Sequence, residues 1–292
     1  MTRNSLWTAL AAMSLQLAQG WAGHTCRSPS QDKGASLFVT ESAAKPQEVV
    51  TMAPPTVVTC AEQHSRLQWG GNYTYVVLRP DGLPSFRGNL GGAQASYEYR
   101  PLDSFYGGLT VNWKQGRTHG DDGKRHLLYV DLQERLGYTA ACRNNDLRFT
   151  FFTGLGYRHL GQKFIPTQGS ILYFRYNELY IPVGTLIDYS FNRWFALGLD
   201  FVWMPQVYPT VLIVPLKGAR WVLTEKLANF YAALPFDFTL TRSQKWHLVI
   251  KPFYERWKDG HSTAVTSTGI PLGLPGNAYN FWGVDVNFAY CF

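Results

Sequence analysis

Hydrophobic and polar residues alternate with a period of two through most of the chain beyond Arg66. In the last such segment, Val284 and Val286 alternate with Asp285 and Asn287. This period is typical of β-strands with one apolar and one polar face, and Gly, Pro, Asn and Asp separate the segments as turn residues do. Ten segments show the pattern: 67–77, 93–100, 105–114, 128–135, 149–157, 178–188, 195–201, 230–238, 246–255 and 277–292. The pattern therefore predicts an all-β chain of about ten strands.

The connections between the predicted strands alternate in length. Short turns are predicted at 101–104, 139–145, 190–193 and 241–245, and longer loops at 79–92, 115–125, 161–171, 204–223 and 258–277. Short turns at one end and long loops at the other are typical of outer-membrane barrels. Within the fourth loop, the apolar stretch 208–222 either forms a surface hairpin, folds inward or extends strands seven and eight above the membrane. We favour the extension.

The two faces of the strands decide between a membrane barrel and a soluble β-protein. Amphipathic rings favour the level of the lipid headgroups, and bulky aromatic residues recur near the ends of the apolar face: Trp69, Tyr99, Trp113, Tyr157, Tyr189, Trp203, Trp246, Trp282 and Tyr290. A sheet in lipid must close, because its backbone groups find no other partners there. We therefore predict a transmembrane antiparallel up-and-down β-barrel that contacts outer-membrane lipids.

The polar face carries charges of both signs and is predicted to line the lumen. These residues are Glu98, Arg100, Asp131, Arg135, Lys251, Glu255 and Asp285, with Asp188, Asp200 and Asp237 on the same face. Ten strands leave little room beyond the side chains themselves. An unpaired buried charge costs on the order of several kcal/mol, so mixed signs favour pairing. The lumen is expected to be either a narrow pore with little ion preference or a salt-bridged plug.

Composition and charge limit the classes of binding partner that the sequence predicts. The 292 residues are 46% hydrophobic and 15% aromatic, with a net charge of +7. Lys and Arg form no long runs, so no nucleic-acid partner is expected. The mild positive charge is compatible with contact to anionic lipid, or it has no specific meaning.

The ends of the chain predict an export route. Arg3, an apolar run over 6–17 and small residues at Ala18, Gly20 and Ala22 are typical of a signal peptide, assigned to 1–22. Residues 23–64 are rich in Ser, Thr, Ala and Pro and are predicted to be a flexible periplasmic segment before a barrel over 65–292. The expected location is the outer membrane of a Gram-negative-type bacterium.

The last strand carries aromatic residues at alternate positions, namely Phe288, Tyr290 and Phe292. They resemble the assembly signal by which the barrel assembly machinery recognises outer-membrane proteins. Their common face on a terminal strand suits capture by another sheet edge. The barrel assembly machinery is therefore an expected partner.

Four cysteines, Cys26, Cys60, Cys142 and Cys291, predict disulfides in an oxidising compartment. Antiparallel closure sets the start of strand one beside the end of strand ten, so Cys60 is expected to reach Cys291. Cys142 lies on a predicted periplasmic turn, and it is left to pair with Cys26 or with another molecule. Disulfide-linked envelope proteins are therefore possible partners.

Five strings carry a family resemblance: 91–101 (GGAQASYEYRP), 152–161 (FTGLGYRHLG), 203–210 (WMPQVYPT), 254–260 (YERWKDG) and 275–283 (PGNAYNFWG). Through them the chain resembles the chlamydial outer-membrane barrels grouped as "Protochlamydia outer membrane protein", over about residues 66–292. The resemblance implies an outer-membrane location and a porin-like role. It implies no catalytic residues.

One group of residues is a candidate for catalysis. Ten-stranded outer-membrane proteases of the omptin type pair an Asp-x-His with two acidic residues to activate water. Asp259 and His261 have that spacing, and Asp121 and Asp122 are the acidic candidates. In omptins the dyad belongs to the fourth long loop, and the fourth loop here has neither Asp nor His.

The sequence therefore predicts a protein without enzymatic activity, cofactor or metal site. The leading functions are a narrow porin for passive diffusion or a structural envelope protein. Surface adhesion through the long loops is the alternative, and an omptin-like protease is a remote one.

Overall fold

The computed structural model describes residues 64–142, 146–214, 220–262 and 273–292, which form a single antiparallel sheet of fourteen strands. The predicted signal peptide and nearly all of the predicted periplasmic segment lie outside the described residues. The strands are β1 (Ser65–Pro80), β2 (Phe86–Tyr99), β3 (Ser104–Gly120), β4 (Gly123–Cys142), β5 (Leu147–Pro166), β6 (Leu172–Tyr180), β7 (Val183–Asn192), β8 (Phe195–Trp203), β9 (Gln206–Val214), β10 (Arg220–Val222), β11 (Phe230–Ala233), β12 (Phe236–Thr239), β13 (Trp246–Asp259) and β14 (Asn277–Cys291). No helix in this part of the chain is long and apolar enough to span a bilayer.

The sheet closes into a barrel because β1 pairs with both β2 and β14. β1 to β5, β13 and β14 each cross the barrel wall as one unbroken strand. The other three crossings are divided, with β6 followed by β7, β8 by β9, and β10 by β11 and β12. The wall therefore has ten antiparallel crossings, which confirms the predicted fold class and strand number.

A proline lies at three of the four breaks in the divided crossings. Pro182 separates β6 from β7, Pro205 separates β8 from β9, and Pro235 separates β11 from β12. Proline has no N–H to donate to a β-ladder, so regular pairing stops at each of them. Backbone bonds still join the wall there, as where the amide of Ile181 donates to the carbonyl of Pro205 at 3.1 Å.

Three predicted long loops are wrong, because they are mostly strand. They shrink to turns at 81–85, 121–122 and 167–171. The strands continue above the apolar band into water, where outward side chains no longer need to be apolar. The hydrophobic alternation therefore fades while the backbone pairing continues.

The described part of the apolar fourth loop is also mostly strand. Residues 206–214 and 220–222 form β9 and β10, which pair with each other, so the favoured extension of strands seven and eight is what the structure shows. In the fifth predicted loop, residues 263–272 lie outside the described part of the chain.

The exterior of the barrel is apolar, and the interior is largely polar except toward the upper end, where buried apolar side chains such as Leu78, Phe86 and Leu160 also point inward. On β1, Trp69, Tyr73 and Tyr75 are exposed, whereas Asn72 and Thr74 between them are buried. This is the reverse of a soluble β-protein and matches a wall that faces hydrocarbon. Of the predicted aromatic belts, Trp69, Tyr99, Trp113, Tyr157, Trp246 and Trp282 are exposed, and Tyr189, Trp203 and Tyr290 are half-buried.

The wall is taller than a membrane. β4 and β5 have 20 residues each. At about 3.3 Å per residue and a tilt of about 40°, such a strand is roughly 50 Å tall, about twice the apolar band of about 25 Å. β3 continues from the belt residue Trp113 to Gly120, so the excess lies at the end with the turns 81–85, 121–122 and 167–171. We call this the upper end, and the end with the turns 100–103, 193–194 and 240–245 the lower end.

Candidate functional site: the barrel lumen

A buried cluster of charges closes the upper half of the lumen. Arg158 on β5 places its Nη1 atom 2.9 Å from Glu178 Oε2 and 3.7 Å from Asp259 Oδ1, and all three side chains are fully buried. β5 and β13, which carry Arg158 and Asp259, lie four crossings apart in a wall of ten, so their contact spans the lumen. We call Arg158, Glu178 and Asp259 the upper cluster.

Aromatic rings surround the upper cluster. The guanidinium of Arg158 lies 4.2 Å from the ring centre of Trp257 and 5.2 Å from that of Tyr279. Tyr180 packs edge-on against Trp257 with 5.3 Å between ring centres. A desolvated cation over aromatic faces is stabilised by the ring quadrupoles. The rings therefore fill the cross-section and also stabilise the charge inside it.

Two further bridges cross the lumen on either side of this cluster. Below it, the hydroxyl of Tyr129 on β4 donates to Glu255 Oε1 on β13 at 2.7 Å, and Lys114 Nζ lies 3.6 Å from the other oxygen of Glu255. Above it, Gln162 on β5 donates to the hydroxyl of Tyr279 on β14 at 2.6 Å. Strands on opposite walls are thus joined at three heights.

The lower half also carries ion pairs, some between neighbouring strands, as for Lys251 with Asp285, and some between distant ones, as for Arg100 after β2 with Asp188 on β7. They are Arg135 with Asp200 at 3.4 Å, Lys251 with Asp285 at 3.2 Å, Arg66 with Asp237 at 2.6 Å, and Asp188 with Arg100 and, at 3.8 Å, with Arg148. Between them lies a cavity of about 120 Å³ whose lining includes Glu98 and Asp131. A water molecule needs about 10–15 Å³ measured in this way, so the cavity has room for several waters.

The predicted lumen charges all lie inside the barrel. Arg100, Arg135 and Lys251 form the ion pairs described above. Asp131 accepts a hydrogen bond of 2.8 Å from the hydroxyl of Tyr180. Glu98 lines the lower cavity. Glu255 and Asp285 are buried beside Lys114 and Lys251, respectively.

Sequence analysis missed the centre of the lumen. Arg158, Glu178 and Lys114 are not among the residues predicted as lumen charges, although each lies at an inward position of the period-two pattern. The alternation shows which face a side chain occupies. It does not show which residue of the opposite wall that side chain meets.

The structure does not bring the four remote catalytic candidates together. Asp259 belongs to the buried upper cluster, whereas His261 is exposed beyond the end of β13. Asp121 and Asp122 are exposed in the turn between β3 and β4. Among the described residues, no group of His, Cys, Asp and Glu is arranged to hold a metal ion.

The structure describes the three aromatic residues of the last strand. Phe288 and Phe292 are exposed on the outward face, and Tyr290 packs 5.0 Å from Trp246 between ring centres. Their role as an assembly signal stays a prediction.

Cys291 is fully buried at the lower end of β14. Cys26, Cys60 and the side chain of Cys142 lie outside the described residues, so the disulfide pairings also stay predictions.

No protein-family model and no curated protein matches the chain. Among solved structures, the outer membrane protease OmpT from Escherichia coli has a TM-score of 0.55 at 10% identity, covering 78% of this chain and 96% of that one. This is an outer-membrane β-barrel fold. At that identity the likeness concerns the fold alone, and the resemblance to the chlamydial family stays a prediction.

Two autotransporter barrels are more distant from this outer-membrane barrel. The transport unit of AIDA-I from Escherichia coli has a TM-score of 0.45 at 14% identity, covering 79% of this chain and 91% of that one. The translocator domain of NalP from Neisseria meningitidis has a TM-score of 0.43 at 10% identity, covering 78% and 88%, respectively.

Proposed function

We propose that this outer-membrane barrel is a structural protein of the bacterial envelope whose lumen is closed to solutes. The observation that carries the proposal is the upper cluster, in which Arg158 meets Asp259 across the lumen and Glu178 on the neighbouring strand β6, with all three side chains fully buried. The strands extend beyond the aromatic belt at the upper end, where the long connection 260–276 also lies, and the longer connections of outer-membrane barrels face outward, so the closed half lies toward the cell exterior.

Opening this closure is energetically costly. A solute would have to separate Arg158 from its carboxylates, and an unpaired buried charge costs on the order of 3–5 kcal/mol. It would also have to displace Trp257 and Tyr279, which are fully buried against the same guanidinium. The lower cavity is then a hydrated recess that ends at the upper cluster.

The same geometry argues against hydrolysis. Activating a water requires the water, the base and the acid to share one accessible site. Asp259 is sealed beneath aromatic rings, and Asp121 and Asp122 are exposed in a turn. We therefore propose no enzymatic role for this chain.

Recording of single channels in planar bilayers tests the proposal. We expect the purified full-length protein to give no conductance steps. A variant that combines Arg158→Ser, Glu178→Ser and Asp259→Ser with Trp257→Ser and Tyr279→Ser removes the upper cluster and the rings packed on it without leaving a lone charge, and it should conduct. A matched double variant in the lower half, Arg135→Ser with Asp200→Ser, removes an ion pair without opening the upper half and should stay silent.

Each other result has a defined meaning. Reproducible conductance steps from the unchanged protein would refute closure and favour the passive-diffusion channel. Silence together with saturable binding to host cells would favour the adhesin, which the tall upper wall could serve. Peptide cleavage that is lost in Asp259→Asn or His261→Ala would revive the protease.

A further inference from the structure

A row of cationic side chains lies on the outer surface of the wall, above the aromatic belt. Arg117 on β3 pairs with His126 on β4, His126 with Lys163 on β5, and Lys163 with Tyr173 on β6. All four occupy outward positions of adjacent strands. Arg175, two residues further along β6, is exposed on the same face.

A cleft of about 660 Å³ lies among these side chains. Gly161, which pairs with both Leu128 and Arg175, contributes no side chain to its floor. Lys163 Nζ lies 5.5 Å from the ring centre of Tyr173, so the ring forms one wall. We call Arg117, His126, Lys163, Tyr173 and Arg175 the basic cleft.

The cations of the basic cleft are not neutralised by the protein. Within the described residues, no carboxylate forms an ion pair with Arg117, Lys163 or Arg175; the pairs that are present lie in the lumen. Asp121 and Asp122 sit beyond β3 in the turn above the row. Three permanent positive charges around one recess therefore suit an anion of more than one charge, such as a phosphorylated group.

The outer surface below the cleft is apolar and suits contact with lipid acyl chains. Trp113 lies two strand positions below Gln115 on β3, and it is followed by the exposed Val111 and Leu109. Tyr157 and Leu155 follow in the same direction on β5. A ligand with its anionic headgroup in the cleft would therefore pack its apolar chains against the wall below.

We propose that the basic cleft binds the phosphorylated headgroup of a lipid of the outer leaflet, with the acyl chains packed along β3, β4 and β5. Both guanidinium groups can hold phosphate oxygens in bidentate fashion, and Lys163 adds a point charge. The aromatic belt directly beneath sets the headgroup at the level of these three cations.

The opposite side of the wall offers a matched control. Arg79, Arg256 and Lys258 also lie on outward positions near the upper end, but Ala278 separates Arg79 from Lys258 in the register. These three residues carry the same total charge as Arg117, Lys163 and Arg175. They differ in that none of them lines the basic cleft.

The experiment measures lipid binding to the full-length barrel in nonionic detergent by native mass spectrometry. Diphosphoryl lipid A and phosphatidylcholine are the probes. We expect Arg117→Gln with Lys163→Gln and Arg175→Gln to weaken diphosphoryl lipid A binding on the order of tenfold or more, because each basic residue near an anionic headgroup contributes. The control triple, Arg79→Gln with Arg256→Gln and Lys258→Gln, should weaken it much less. Phosphatidylcholine binding should not differ between them.

A second variant separates the cleft from its charge. Gly161→Leu fills the recess and changes no charge, and a Cβ at this position meets nothing closer than 3.6 Å. We expect it to weaken diphosphoryl lipid A binding as well. Heat-modifiable migration on gels establishes that each variant is folded.

Three results would overturn the assignment. Equal losses in the two triple variants would mean that only overall charge matters. Unchanged binding in both the cleft triple and Gly161→Leu would place the lipid elsewhere. Displacement of the lipid by millimolar inorganic phosphate would mean that the site takes free phosphate and not a lipid.

Discussion

The upper and lower halves of the lumen contain similar charged residues, but they hold them differently. In the upper half, Arg158, Glu178 and Asp259 are fully buried, and Arg158 contacts Asp259 across the lumen. In the lower half, Asp188 remains 23% exposed and is shared by Arg100 and Arg148. Charge alone therefore does not decide whether a narrow barrel is open or closed.

The volume of the neighbouring side chains makes the difference. Inward positions around the upper cluster hold large rings, among them Trp257 and Tyr279. Inward positions lining the lower cavity include Ala196, Gly198 and Ser96. The ten strands are the same above and below, so large side chains exclude water in one half and small ones admit it in the other.

The largest effect should come from removing the cation of the upper cluster. Arg158→Met leaves Glu178 and Asp259 buried without a counter-charge, and we expect a loss of about 3–5 kcal/mol in the free energy of unfolding. Urea titration of the protein in lipid vesicles, followed by tryptophan fluorescence, measures it.

The matched change in the lower half is Arg100→Met. Asp188 keeps Arg148 and its partial exposure to solvent, so the loss should be about 1–1.5 kcal/mol. Equal losses at Arg158 and Arg100 would break the comparison, because burial would then make no difference to the energy of the two ion pairs.

A smaller effect should come from crowding one ring of the upper half. Gly156 on β5 pairs with Tyr180, and a Cβ at Gly156 would overlap the Tyr180 ring. Displacing that ring disturbs its hydrogen bond to Asp131 and its contact with Trp257. We expect Gly156→Ala to cost about 1–3 kcal/mol in the same titration.

Gly91→Ala is the control for this change. A Cβ at Gly91 meets nothing within 4 Å, so its effect should stay within about 0.5 kcal/mol. If Gly156→Ala is equally mild, then ring packing does not stabilise the upper half, and the ion pairs alone account for the contrast.

The sequence predicts the strands of the barrel wall better than the side-chain contacts inside the lumen. Period-two alternation is a local property, and it correctly assigns Trp113 outward and Asp131 inward. The closure depends instead on pairs such as Arg158 with Asp259, which are far apart in sequence. Their meeting follows from barrel closure and strand register, which no local pattern encodes.

The sequence pattern does not show the upper ends of the strands, for a related reason. Above the belt, outward residues such as Gln115 and Arg117 face water, so the apolar signal ends while β3 continues to Gly120. Prolines give only a partial signal. Pro182, Pro205 and Pro235 each mark a break in a wall crossing, because none can donate to the ladder, whereas Pro209 and Pro252 lie inside β9 and β13.

The smallest effect concerns the outer wall at the height where the two halves of the lumen meet. Glu134 lies on the exposed face of β4 between Leu132 and Leu136, and it pairs with Leu109 and Leu155 on the neighbouring strands. A carboxylate on a lipid face is unfavourable, by less than the roughly 2–4 kcal/mol of Arg or Lys. We therefore expect Glu134→Leu to raise the unfolding free energy by about 1 kcal/mol in vesicles and to leave the lumen unchanged. A loss of stability would instead mean that Glu134 is bound to a polar partner in the membrane. Polar contacts on the outer wall would then contribute to the unfolding free energy, as the upper cluster does.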